Sequence, residues 1–523
     1  MMKEEIAMSD ITKATPLTEI LKRYPGARQV FDRHGLHGCG GEQGPAETLE
    51  FFARVHEADV DTLLKEIQAE IAQPAPKPYS YQTTVADYIY RRFFKAGITV
   101  VLTVGALWGA VSLLEIALRK NFLLLHLVPA IHAHAHAMIF GWCGLFVMGF
   151  AYQSFPRFKH TTLWRPRLAN LTFYLMLAGI AARIGAELLA PGALGLALGA
   201  VAAATELVAI GLFIAIILKT AQKSLEPHNA YEKFIFAALA WFFVQAILSD
   251  VFFFAKATAA TQSQLIHRIA LLDGPLRDIQ LLGFVAMIIA GVSQRFIPAV
   301  YQLARPRHDR QALIFWLMNA SLLLDVASYV LILTTRKLLF ALALEASFIL
   351  MLAWAILLVR QLGIFTAPGE RDRSWKFVRT SYLWLLIAML MLPFFPVYGI
   401  LTHQYFAHSF MGAYRHAFTV GFVTLMIMGV ASRVVPILAG IDSGRLTALW
   451  GPFILLNLGN ASRVTCQILT DFVPRIAYPL VGFTGFLELA ALAWWGVELW
   501  RVMNIAHNRQ VVPVFIRPPA VAS

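Results

Sequence analysis

Most of the chain alternates long apolar runs with short polar connections. From residue 97 onward, runs of about 20 apolar residues recur, each long enough to cross a hydrocarbon core of about 30 Å as a helix. The pattern predicts twelve such helices, near 97–118, 133–156, 168–190, 193–218, 234–255, 279–301, 313–335, 338–359, 380–401, 415–438, 449–470 and 477–503. Residues 1–72 read differently. Charged and apolar residues alternate there at helical spacing, as at Leu17, Ile20, Leu21 and Tyr24. Thr15 is a candidate cap, with Pro16 in the first turn. A glycine-rich turn over 34–41 and helical patterns over 47–56 and 60–71 follow. The expected fold class is all-α: a small soluble helical domain (1–72), a stiff proline-rich linker (73–90), a twelve-helix membrane bundle (91–505) and a tail (506–523).

Composition agrees. The chain is 58% hydrophobic and 14% charged, whereas a soluble protein carries about 25% charged residues. The net charge of +13 sits in the connections rather than on one folded face, which speaks for membrane orientation and against nucleic acid. Connections holding Arg157, Lys159, Arg165, Arg167, Lys219 and Lys223 belong to the set richer in Lys and Arg. The set with Arg119, Lys120 and Lys256 is poorer. The rich set is therefore expected in the cytoplasm, together with both termini, in a multi-pass protein of the cell membrane. Residues 1–20 lack the apolar core of a signal peptide. Cys39, Cys143 and Cys466 lie far apart, so neither a disulfide framework nor a cysteine zinc site is expected.

The bundle repeats internally. In the second, sixth and tenth runs a Gly is followed eight residues on by Gly and fifteen on by Pro: Gly141, Gly149 and Pro156; Gly283, Gly291 and Pro298; Gly421, Gly429 and Pro436. Each following helix carries an ionisable residue at one offset, namely Arg183, Asp325 and Arg463. Each fourth helix carries an acid: Glu206, Glu345 and Glu488. Four helices repeated three times is the expected plan. Glycines at such spacing let helices approach closely.

The repeat singles out His136, Asp278 and His416, each five residues before the first Gly and each near the outer face. Two imidazoles at equal depth on facing helices suit a low-spin haem. His136 and His416 are the expected axial ligands. Buried Arg183 and Arg463 suit the haem propionates, although Glu187, one turn on, competes for Arg183. His132 shares a helix face with His136, and His134 points elsewhere. His126, His267, His403 and His408 also fall in outer segments, so a copper site drawn from some of these imidazoles is a further expectation. Asp278 and Asp325 in the middle unit argue for one haem rather than three. Glu206, Glu345, Glu488, Glu115 and Asp250 are candidate proton carriers.

HAHAMIFG at 134–141 and HAFTVGFVTLMIMGVASR at 416–433 resemble the NnrS family of polytopic haem- and copper-containing membrane proteins. That resemblance implies haem binding, b-type by expectation, and a part in handling nitric oxide or nitrosative stress. Ala137 stands where the family's first motif usually has Glu. Histidines on the second and tenth helices are also similar to the catalytic subunits of haem–copper oxidases and nitric oxide reductases, but the histidines those enzymes need on the sixth and seventh helices are missing here. The N-terminal segment, through Pro25-Gly26-Ala27, Val30-Phe31, Gly35 and Cys39-Gly40-Gly41, resembles the short helical domain of di-iron proteins of iron–sulfur cluster repair. The main competing reading is a secondary transporter, since internal repeats and buried charge serve that class too. No residue pattern identifies an electron donor.

Overall fold

A computed structural model describes residues 11–37, 40–72, 84–404, 407–441 and 446–511, with side chains to 504. Cys39, most of the proline-rich linker, Arg445 and most of the tail lie outside the described residues. Every regular element among the described residues is helical.

The small domain holds α1 (Leu17–Arg23), α2 (Arg28–Arg33), α3 (Leu49–Val55) and α4 (Val60–Ile71). Apolar positions one turn apart meet in a core of Leu17, Ile20, Phe31, Phe52, Leu63 and Ile67. Phe31 meets Phe52 edge-on. Thr48 and Asp59 cap α3 and α4 with their side chains. The expected Thr15 cap does not form. Pro16 takes that position, and Thr15 instead turns back to accept the Thr12 and Leu49 amides.

Long helices follow: α5 (Ile89–Arg119), α6 (Leu125–Phe158), α7 (Pro166–Leu189), α8 (Ala193–Lys223), α9 (Ala230–Ala257), α10 (Gln262–Tyr301), α11 (His308–Thr335), α12 (Leu338–Leu362), α13 (Trp375–Thr402) and α14 (His408–Leu438). The chain closes on α15 (Trp450–Leu469) and α16 (Pro474–Val511). Eleven helices among the described residues are long and apolar enough to cross a membrane, and the chain is a multi-pass membrane protein. The exception is α15, at the eleventh expected position. Asn457, Asn460, Arg463 and Gln467 interrupt its apolar surface.

The centre of the bundle is made by α6, α10 and α14. Their most apolar stretches are 72%, 89% and 83% buried, against 50% or less in the other candidate spans. The repeated glycines explain the close packing. Gly141 lies against Val100, Gly283 against Trp241, and Gly421 against Trp384. One turn-pair later, Gly149, Gly291 and Gly429 lie against Phe93, Phe234 and Phe377. A side chain at any of these six positions would push α6, α10 or α14 off its partner. Each central helix also widens into π geometry at one register: Ala137–Gly144, Ile279–Ala286 and Ala417–Thr424. Trp142 on α6 donates to Thr424 on α14 at 3.2 Å, so these two helices touch directly. The three fourth-helix acids differ in burial. Glu206 and Glu488 are buried, but Glu345 in the middle unit is only half-buried.

The small domain seats on the ends of the three central helices. Arg157 of α6 donates to Glu47 (3.0 Å) and His56 (3.1 Å). Arg295 of α10 donates to the Val55 carbonyl (2.8 Å) and pairs with Glu57. Arg433 of α14 lies over the Phe51 ring and pairs with Glu370, which Arg54 also grips. Burial and the neighbouring Arg157 hold the His56 imidazole well below its ordinary value, so it accepts the Arg157 hydrogen bond as a neutral ring.

Candidate functional site

At the membrane face opposite the small domain, the start of α6 brings three histidines into three different environments. His132 faces α9 and α10. Lys256 donates to its Nδ1 at 2.7 Å and pairs with Glu187 at 2.8 Å. His132 also packs edge-on against Phe252. His136, one turn on, stacks on Phe140, and its Nε2 lies 2.8 Å from Glu206 Oε1 on α8. His134 leaves on the opposite side, toward α5. There, α5 widens over Val101–Gly105, and Gly105 departs from helical geometry with ψ −107°. Its carbonyl is thereby turned toward the neighbouring helix, and His134 Nδ1 donates to it at 2.8 Å. Gly109 leaves room for the ring.

His416 on α14 makes the matching bond. Its Nδ1 donates to the Gly412 carbonyl at 3.0 Å. A carbonyl can only accept, so in a neutral ring Nδ1 carries the proton and Nε2 the lone pair. His134 and His416 thus both present Nε2 as a ligand atom in a fixed tautomer, the arrangement usual for metal-bound imidazole. His134 acts on His416 electrostatically, and Arg463 acts on both rings. The sequence paired His416 with His136. In the structure Nε2 of His136 is engaged by Glu206, while the hydrogen bonds of the described residues leave Nε2 of His134 unengaged.

Both expected arginines are buried. Arg183 pairs with Asp250 and lies over the Phe253 ring. Glu187, the competitor named from sequence, is taken by Lys256 instead, because α9 brings Asp250 and Lys256 to different depths. Nε and Nη1 of both Arg183 and Arg463 have no hydrogen-bond partner among the described residues. Buried guanidinium hydrogens are rarely left over. Two imidazoles with free lone pairs, near an Arg463 with spare donors, fit a group that carries both a metal and carboxylates.

Copper is less well served. Among the described residues no three His, Cys, Asp or Glu side chains converge as a metal cage. His267, His403 and His408 are exposed, and His126 bonds to Glu115 at 2.8 Å. The sequence reading missed Asp273, which ties Arg277 (3.1 Å) to Arg415 (3.1 Å) across α10 and α14. Its spacing of four from Arg277 was the available signal. It also treated Lys256 as a connection charge, although that side chain is buried.

No curated protein matches the chain. The model of a domain of unknown function, DUF1858, matches residues 11–64 and so covers most of the small domain. The family model described as NnrS protein matches residues 84–506, well over half of the sequence and the whole described helical bundle up to that point. Apolar helices, paired glycines and outer histidines therefore have one common frame: the chain belongs to the NnrS family.

Proposed function

We propose that this chain is a haem protein of the cell membrane, of b type, with a part in handling nitric oxide, and that its small domain and both termini face the cytoplasm. His134 and His416 would hold the haem iron between α6 and α14, on the opposite side. Arg463, and Arg183 beyond its bond to Asp250, would hold the propionates. The observation that carries this reading is the matched pair of Nδ1-to-carbonyl bonds, at Gly105 and Gly412, which leaves Nε2 of both rings as lone-pair donors. Family membership supports it. Bound there, a haem would supply a one-electron couple and, on release of one imidazole, an iron position for a diatomic gas. The protein's own part is to fix two imidazole tautomers, to neutralise carboxylates and to exclude water. His136, held by Glu206, stands beside the site as a positioning group.

The test is the reduced-minus-oxidised optical spectrum of purified full-length protein, before and after nitric oxide, beside His416→Ala. A sharp low-spin band that the substitution removes supports the site. Haem-free protein from haem-supplied cells would overturn it and put the transporter reading ahead.

A further inference from the structure

The middle repeat contains a site of its own. Asp278 occupies the register of His136 and His416, and Asp325 that of Arg183 and Arg463. The two carboxyl groups lie within hydrogen-bonding reach of each other. Asp325 is 2% exposed, and its Oδ2 has no partner among the described residues. The Tyr414 hydroxyl, fully buried and likewise without a partner there, lies within electrostatic reach of both acids.

We propose that Asp278 and Asp325 form a proton-binding site, holding one proton between them. A hydrogen bond between two carboxyl groups needs a donor, and an ionised carboxylate has none. Two like charges at that separation cannot both persist out of water. The surrounding charge sets the number of protons at one. Facing the pair are Arg415 on α14, Arg277 and Asp273 on α10, and Tyr329 on α11. Asp273 neutralises one of the two guanidinium groups. One positive charge remains, and a singly protonated pair matches it. A metal cation would add to the arginine charge, so the geometry favours a proton over sodium. Tyr414 on α14, two residues from His416, connects the pair to the helix that carries the proposed ligand. Reduction at the neighbouring site would then find a proton store at the same depth.

The experiment is infrared difference spectroscopy of the full-length protein in lipid, in light and heavy water, for wild type, Asp278→Asn, Asp325→Asn and Tyr414→Phe. The expected result is an exchangeable carbonyl-stretch band of a protonated carboxyl that both Asn variants remove. In Tyr414→Phe the band should persist at a shifted frequency. This last variant keeps the pair intact, so the proposal stays testable if an Asn variant fails to fold. A wild-type spectrum unchanged in Asp325→Asn and in Tyr414→Phe would overturn the shared proton. So would loss of the band on adding sodium at constant pH, which would mark a metal site.

Discussion

The first and middle repeats use one scaffold for opposite chemistry. In both, a central helix lays a pair of glycines against the helix before it and widens into π geometry at the same register. In the first, that register presents His136 to Glu206, with Arg183 paired to Asp250. In the middle, it presents Asp278 to Asp325. Base and cation are exchanged for two acids while the packing stays. The lesson is that glycine spacing fixes where a buried polar side chain sits, and the side chain alone decides what it binds.

The largest expected effect separates the histidines of α6. His134→Ala should abolish the low-spin band as completely as His416→Ala, while His136→Ala should shift the band and keep it. A spectrum lost only with His136→Ala would reverse the assignment. Next comes the bridge between the middle and third units. Asp273→Ala leaves Arg277 with Gln280 and takes from Arg415 its ion-pair partner; with both pairs only partly buried, the loss should cost about 1–3 kcal/mol. Thermal unfolding in detergent would register it, and an unchanged midpoint would show that the bridge is idle.

The glycines test the shared scaffold itself. Gly421→Ala drives a methyl into the Trp384 ring and should destabilise by about 1–3 kcal/mol, and Gly283→Ala, whose methyl meets Trp241 and Leu322 at 3.0 Å, by less. Gly211→Ala, where the nearest atom would lie 3.9 Å away, should cost nothing. The small domain responds to pH through α6 rather than α10. Seated, His56 resists protonation; released, it takes a proton near its ordinary value of 6.5. The released state therefore binds more protons below that pH. Seating should be complete above it and weaken as pH falls through it. Amide exchange across α3, measured on both sides of that value, would show this as faster exchange on the acid side. The smallest effect concerns Trp241 and Trp384, which donate to Asn319 and Asn457 at 3.1 and 2.9 Å. Changing either to Phe should cost about 1 kcal/mol, alike in the middle and third units.

The helices were legible because lipid leaves the sequence no other way to satisfy its backbone. The glycine register was legible because close packing admits one residue type. The partners were not. His136 and His416 share a register in sequence, yet Glu206 engages His136, and Gly105, where α5 widens, holds His134. Glu187 lies one turn from Arg183, yet α9 supplies Asp250 to one and Lys256 to the other. Residue spacing gives depth along a helix. Which helix stands opposite is set by packing among segments far apart in the chain. α15 was predicted by position, although its polar residues leave it less apolar than the other long helices.

The seat of the small domain has a consequence for biosynthesis. The domain is translated first, but Arg54 finds the Ala299 carbonyl 245 residues later and Glu370 316 residues later, and Arg433 comes later still. A ribosome must thread α10 and then α14 into the bilayer before the landing surface exists. The docked domain is thus a receipt for finished insertion: a chain stalled before α14 would leave Phe51 and Glu47 uncovered, open to the proteases that clear incomplete membrane proteins.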